Sequence, residues 1–405
     1  MAQWKGWRKA LTVLAFIGPT LIGILIFSIY PIIFNTYISF TNRNRYHPNP
    51  DCSLTLTSLL EPTCWKVFEE NRPTGLAEPF RLQEPLFGNY IDLVGAFFTQ
   101  PAVVAFLKII ACFIPLIVAG WVNKAFSKRA ERPLSPGLVT LIAIVVGVCL
   151  GWLLRFDQAV NLIAGSGDFF VVTFRSLLYV LLCIPLFYLV GLGLALLLNV
   201  QDLPGRTFFR VILIIPWAAS TVAIMIALVW QFFFREQGTI NQLLALIGIE
   251  GKAWLQEPTT AFAVCVIANV WMSYPFFMVT ILGALQSIPG ELYEAAEVDG
   301  ASWWQRLSGI TLPLLRPAVV PVIVLSSITT FQMFGTVWAI TGGGPSRGAG
   351  TPGATELVMV YAYKQVFQSS AYGRMGAFAV IMFIFLFGLT LYSLRISRIT
   401  RGAYE

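Results

Sequence analysis

Residues 291–313 read ELYEAAEVDGASWWQRLSGITLP. This is a polar island between two long apolar segments. Its acids (Glu291, Glu294, Glu297, Asp299) and its Arg306 are too costly to sit unpaired in lipid. The island therefore lies outside the bilayer as a loop of its own. Pro289 suits a first helical turn, and the carboxylates that follow suit a helix N-terminus. Leu292, Ala295 and Ala296 give one side of this short helix a small or apolar surface. Asp299-Gly300 reads as a stop or tight turn, and Trp303-Trp304 opens a second short amphipathic stretch. Composition leaves two readings: a surface built to dock on something, or a solvated connector between membrane helices.

Outside the island the chain is apolar. Of 405 residues 57% are hydrophobic and only 12% charged, with a mean hydropathy of +0.74. Soluble domains carry about a quarter charged residues, so the class is a polytopic all-α membrane protein. The net charge of +7 clusters at the ends of apolar runs. That is the positive-inside pattern, and it reports topology, not a nucleic-acid partner. The six cysteines show no metal-ligand spacing, and Cys112, Cys149, Cys183 and Cys265 lie inside apolar runs as packing residues. The single histidine, His47, stands in a Pro/Asn-rich loop, where a surface role is the ordinary one. No catalytic set assembles around it.

Apolar segments at 11–40, 101–122, 137–154, 171–199, 208–234, 260–285, 313–340 and 375–394 predict eight transmembrane helices, each long enough for a hydrocarbon core of about 30 Å. The first follows Lys5, Arg8 and Lys9 and reads as a retained anchor. Residues 1–170 form a three-helix region with a polar outer loop over about 41–100, whose Cys52 and Cys64 are either free or joined by a disulfide. The turn NKAFSKRAERP, with Lys124, Lys128, Arg129 and Arg132, is the strongest cytoplasmic signal. Alternating from it places QDLPGR, the C-terminal RISRITR, both termini (with the tail 396–405) and the island on the cytoplasmic side.

The later segments contain no ionisable residue at depth, which disfavours a stand-alone proton- or sodium-coupled carrier. They carry neutral hydrogen-bonding groups and aromatics instead: Asn269, Trp271, Ser273 and Tyr274, then Ser326, Ser327, Thr329, Thr330 and Gln332. Amides pair with sugar hydroxyls, and an aromatic face stacks on the apolar face of a pyranose. The alternative is that the hydroxyls and amides bond helix to helix. Lys108 and Arg175, near helix ends, read as snorkelling cations. No Walker A pattern occurs, and Gly342-Gly343-Gly344-Pro345 lacks the Lys-Ser/Thr of a phosphate cradle. Any ATPase is another chain.

The island, read as Glu294-Ala295-Ala296, three residues, Gly300, nine residues, then Ile310-x-Leu312-Pro313, resembles the EAA loop of membrane subunits of bacterial binding-protein-dependent ABC importers. ELYEAAEVDGA, LPLLRPA and TGGGP look like the carbohydrate-uptake branch, and the likeness covers about 171–395. Three helices ahead of that type I importer core are similar to the larger maltose-permease subunit. The resemblance implies a permease subunit in the bacterial inner membrane that moves a di- or oligosaccharide of the maltose, trehalose or α-glucoside type by alternating access. It implies a coupling helix docking on an ATPase dimer, with Glu291, Glu294, Ala295, Ala296, Asp299, Gly300, Ile310 and Pro313 in that role. It also implies a second homologous permease, surrounding lipid and an external sugar-binding protein. This chain then needs no cofactor, with ATP and Mg on the ATPase. Matched motifs place Asn269, Trp271, Phe276, Ser326, Thr330 and Met333 at the sugar, and Tyr274, in the same stretch, is a further candidate. Where the maltose subunit has amides, this chain has Thr330 and Met333. A membrane-embedded transferase is the remaining rival, and the only acidic cluster it could use is the island itself.

Overall fold

The computed structural model describes residues 7–47, 80–97, 100–126, 136–156, 158–159, 167–200, 203–348 and 351–401. Cys52, Cys64, Lys128, Arg129 and Arg132 lie outside them. The described residues are helical apart from loops and an isolated bridge between Thr41 and Leu82. The helices are α1 Trp7–Ile24, α2 Tyr30–Ile38, α3 Gly88–Phe97, α4 Gln100–Phe126, α5 Pro136–Leu153 and α6 Asp168–Asn199. They continue with α7 Arg206–Ala218, α8 Ala223–Phe233, α9 Thr239–Leu246, α10 Pro258–Gln286, α11 Glu291–Val298 and α12 Trp303–Arg306. Last come α13 Leu312–Phe331, α14 Gly335–Thr341, α15 Val358–Phe367 and α16 Tyr372–Arg401.

Among the described residues, six continuous helices are long and apolar enough to cross a membrane: Leu11–Ile38, Val103–Asn123, Asp168–Asn199, Pro258–Gln286, Trp303–Phe331 and Tyr372–Leu391. The segment expected at 208–234 is not one straight helix. It breaks into α7 and α8, bent by 98°, where Pro216 removes a backbone donor and Ala219–Val222 tightens to a 3₁₀ turn. The segment expected at 137–154 forms α5, whose 18 residues reach about 27 Å at about 1.5 Å per residue, shorter than the others. The segment expected at 313–340 is displaced: its span begins at Trp303 and ends at Phe331, and α14 follows separately. With those changes all eight apolar segments are helical.

The chain divides into two compact units. In the unit of 1–94 and 362–389, glycines let α16 approach the first span. A Cβ on Gly373 would stand 2.2 Å from the Thr41 carbonyl oxygen, and one on Gly376 3.1 Å from the Ser39 nitrogen. Buried Asn89 donates to the carbonyls of Ser39 and Thr41, both at 2.9 Å.

In the unit of 95–361 and 390–405, α6 and α10 form the centre. Tyr179 donates to the Cys265 carbonyl at 3.0 Å, and Phe187 meets Phe277 at 5.8 Å. A Cβ on Gly191 would stand 2.7 Å from that of Phe277, so only glycine permits this crossing. Gly191→Leu is expected to destabilise the protein by about 3 kcal/mol through overpacking, read as a lower melting temperature of the purified chain.

Arg175 does not snorkel. It is buried and donates to the carbonyls of Pro352, at 3.4 Å, and Gly353. The Glu356 carboxylate accepts from the Gly353 N–H at 2.9 Å, and the hydroxyls of Thr341 and Thr355 meet at 2.6 Å. The TGGGP turn is thereby tied to residues 352–356. A buried cation among carbonyls is satisfied without reaching the interface.

Candidate functional site

The island forms two helices joined by a short, fully capped corner. In α11 the carboxylates of Glu291 and Glu294 occupy the first turn, where they oppose the helix dipole. Pro289 stands just outside, ahead of Gly290 at the N-cap. The far end closes by the Schellman pattern: Gly300 N–H donates to Glu297 O at 3.0 Å and Ala301 N–H to Ala296 O at 2.9 Å. Gly300 sits at φ +73°, a left-handed conformation that glycine adopts without penalty. Ser302 then caps α12 in a reciprocal box with Gln305.

From Ser302 the chain runs without a break into the membrane span. A π-turn at Leu307–Thr311 shifts the hydrogen-bond register just ahead of Pro313, whose ring and missing N–H would otherwise disrupt the helix. Ile310 and Pro313 are half-buried at this base. The second stretch of the island is thus the first turns of the span and not a separate amphipathic helix.

Two contacts pin α11 to that base. The Tyr293 hydroxyl lies 3.0 Å from that of Thr311, and Arg306 pairs with Glu297 at 3.1 Å. No residue of α11 is buried. Glu291, Glu294, Ala295 and Asp299 are exposed, as are Leu292, Trp303 and Trp304, and Ala296 is half-buried. Val298 is 88% exposed. An ordered helix offering acids beside uncovered apolar side chains has the composition of an interaction surface.

The residues assigned to the cargo fall into separate groups. Asn269 and Trp271, two apart on α10, point about 200° apart and do not share a face. Asn269 is buried toward α6, with its amide nitrogen 3.6 Å from Cys183 Sγ and its oxygen accepting from Ser273 at 3.3 Å. Trp271 is 38% exposed and meets Trp230 of α8 edge-on at 5.9 Å. Phe276 stacks on Trp217 of α7 at 5.9 Å, and Tyr274 donates to the Leu213 carbonyl at 3.2 Å. Ser326 and Thr330 are buried one turn apart on α13, and Met333 is half-buried just beyond it.

Ser327 and Thr329 bond carbonyls of their own helix, Ile323 and Leu325, so they do not tie helices together. Sequence reasoning passed over Trp217 and Trp230. Their signal was present in IIPWAAS and VWQFFF, at positions that a straight helix would have scattered.

Fold and loop together define a multi-pass membrane transport subunit: apolar helices long enough to span, interrupted by an exposed, capped polar loop. The chain belongs to the family of binding-protein-dependent transport system inner membrane components, whose model matches residues 188–398. It is 34% identical to the trehalose/maltose transport system permease protein MalF of Thermococcus litoralis over 59% of this chain and 78% of that protein. It is 34% identical to the maltose/maltodextrin transport system permease protein MalF of Escherichia coli over 66% of this chain and 51% of that protein. The chain thus spans about half the length of the E. coli relative. A solved bacterial ABC transporter chain involved in alginate import is 22% identical, with a TM-score of 0.48, over 78% of this chain and 99% of that one.

Proposed function

We propose that this chain is the sugar-conducting permease of an ATP-driven importer whose cargo is a di- or oligosaccharide of the α-glucoside type. The observation that carries the reading is the exposed, pinned α11. In this reading the loop and both termini face the cytoplasm, and α11 docks on one subunit of an ATPase dimer. ATP and Mg bind there, and this chain catalyses no reaction and holds no cofactor. A second homologous permease completes the pathway, and an external receptor delivers the sugar.

The mechanism follows from the connections. Closure of the ATPase dimer displaces α11, and the Tyr293–Thr311 and Glu297–Arg306 contacts pass that displacement to the base of α13. The continuous helix carries it past Pro317 and Pro321 to Ser326, about 22 Å farther along at 1.5 Å per residue. Trp271, Tyr274, Phe276, Ser326, Thr330 and Met333 are the residues proposed to meet the sugar, through neutral hydrogen bonds and aromatic faces, while Asn269, turned toward Cys183, packs α10 against α6. The relatives named for maltose, trehalose and maltodextrin support the glucoside class.

Reconstituted with its partners, the importer is expected to accumulate labelled maltose, trehalose or maltotriose only with ATP on the α11 side and receptor on the other. Accumulation by this chain alone under a proton gradient would overturn the proposal in favour of a secondary carrier.

A further inference from the structure

A depression lined in part by Phe234 and Trp254 lies at the opposite end of α10 from α11. It has a volume of about 360 Å³ and is lined by residues that include Phe234, Arg235, Glu236, Gln237, Trp254 and Gln256. That volume falls within the range of about 300–1,000 Å³ usual for small-molecule sites, and it suits one or two hexose rings.

The depression is held open by a polar hub. Buried Asn241 of α9 donates to the carbonyls of Glu236 at 2.9 Å and Lys252 at 2.8 Å. Its oxygen accepts from the Lys252 N–H at 3.1 Å and the Trp254 indole N–H at 2.7 Å. One amide thus ties both sides of the loop together and sets the plane of Trp254. Gly238 makes the entry turn, since a Cβ there would stand 2.4 Å from the Phe233 carbonyl oxygen.

At the rim, Gln256 donates to the Glu236 carboxylate at 2.7 Å, and Arg235 donates to Gln231 at 3.1 Å. A fixed indole beside a carboxylate, an amide and a guanidinium offers an apolar plane with acceptors and donors at its edge. Arg235 and Glu236 carry opposite charges, so the rim favours a neutral polyhydroxylated ligand over an ion.

The depression is also joined to the cargo residues. Trp254 meets Phe234 at 5.7 Å, Phe234 stacks on Trp230 at 5.9 Å, and Trp230 meets Trp271 at 5.9 Å. We infer that the Trp254 depression is a staging subsite for a neutral glucoside, occupied before the sugar reaches Trp271. This rests on the sugar-permease reading above for its side of the membrane and its ligand class.

The test uses the assembled transporter in nanodiscs, without receptor, with Ala253→Cys at the depression and Gln237→Cys as a second position should the first fail to assemble. Modification of the introduced thiol by a maleimide is followed by peptide mass spectrometry, with maltotriose or sorbitol present. Maltotriose is expected to slow modification about threefold, as for two-thirds occupancy. Sorbitol is expected not to, and Trp254→Ala to abolish the protection. Equal rates with both polyols at both positions would overturn the subsite. In intact cells the same thiols should react with an impermeant maleimide added outside. Reaction only from the cytoplasmic face would overturn the sidedness, and with it the permease orientation, while the nanodisc result reads the subsite separately.

Discussion

Sugar uptake falls at least about tenfold, the equivalent of about 1.4 kcal/mol, when Glu294→Ala and Gly300→Val are combined, while ATP hydrolysis by the assembled importer persists. The two changes act on different parts of one surface. Gly300 stands at φ +73°, where a β-branched residue costs about 1–2 kcal/mol or more. Relief of that strain opens the Schellman corner, and α11 loses its fixed angle to α12. Glu294 is an exposed carboxylate in the first turn of α11, so its removal leaves the core intact and deletes part of the docking face. Uptake and ATPase rates from the same proteoliposomes check the outcome, and normal uptake by the double variant would contradict the coupling role. Neither residue lies in the buried core, so the complex is expected to assemble, if more weakly.

Trp271→Ala is expected to lower uptake about tenfold, with receptor docking unchanged. Trp271 is the partly exposed aromatic of the proposed cargo set and the inner end of the ring series through Trp230. Its loss removes a stacking plane and an edge-to-face contact of about 1 kcal/mol. Trp271→Phe keeps a smaller plane and should retain most of the transport. Asn269, turned toward Cys183, should answer differently: its truncation should affect α6–α10 packing and stability before cargo. Uptake kinetics at saturating receptor, beside melting temperatures, separate the two. Unaltered transport by Trp271→Ala would remove that residue from the site.

What the sequence disclosed depends on how local each cause is. The stop at Gly300 was legible because its cause is local, a glycine at C′; the box of Ser302 with Gln305, three residues on, is equally local and was passed over. The apolar segments were legible because lipid demands length and hydropathy, which a window can read. The 98° bend between α7 and α8 was not, since IIPWAAS is apolar throughout and a proline in a membrane helix need not break it. Arg175 was misjudged because its partners at 352 and 353 are far away in the chain, and no periodicity reports them. The separation of Asn269 from Trp271 could have been found by counting 100° per residue. The Asn241–Trp254 hub could not, because three of its four bonds go to loop backbone groups that any sequence would supply.

The most direct test of the coupling claim is photo-crosslinking from position 298. Val298 is almost fully uncovered, so replacing it with p-benzoyl-phenylalanine leaves the fold untouched and samples whatever α11 faces. The predicted result is an adduct with the ATPase subunit in the assembled importer, altered in yield when ATP closes the dimer. An adduct absent at every nucleotide state, with position 298 reached instead by impermeant reagents from outside the cell, would contradict it.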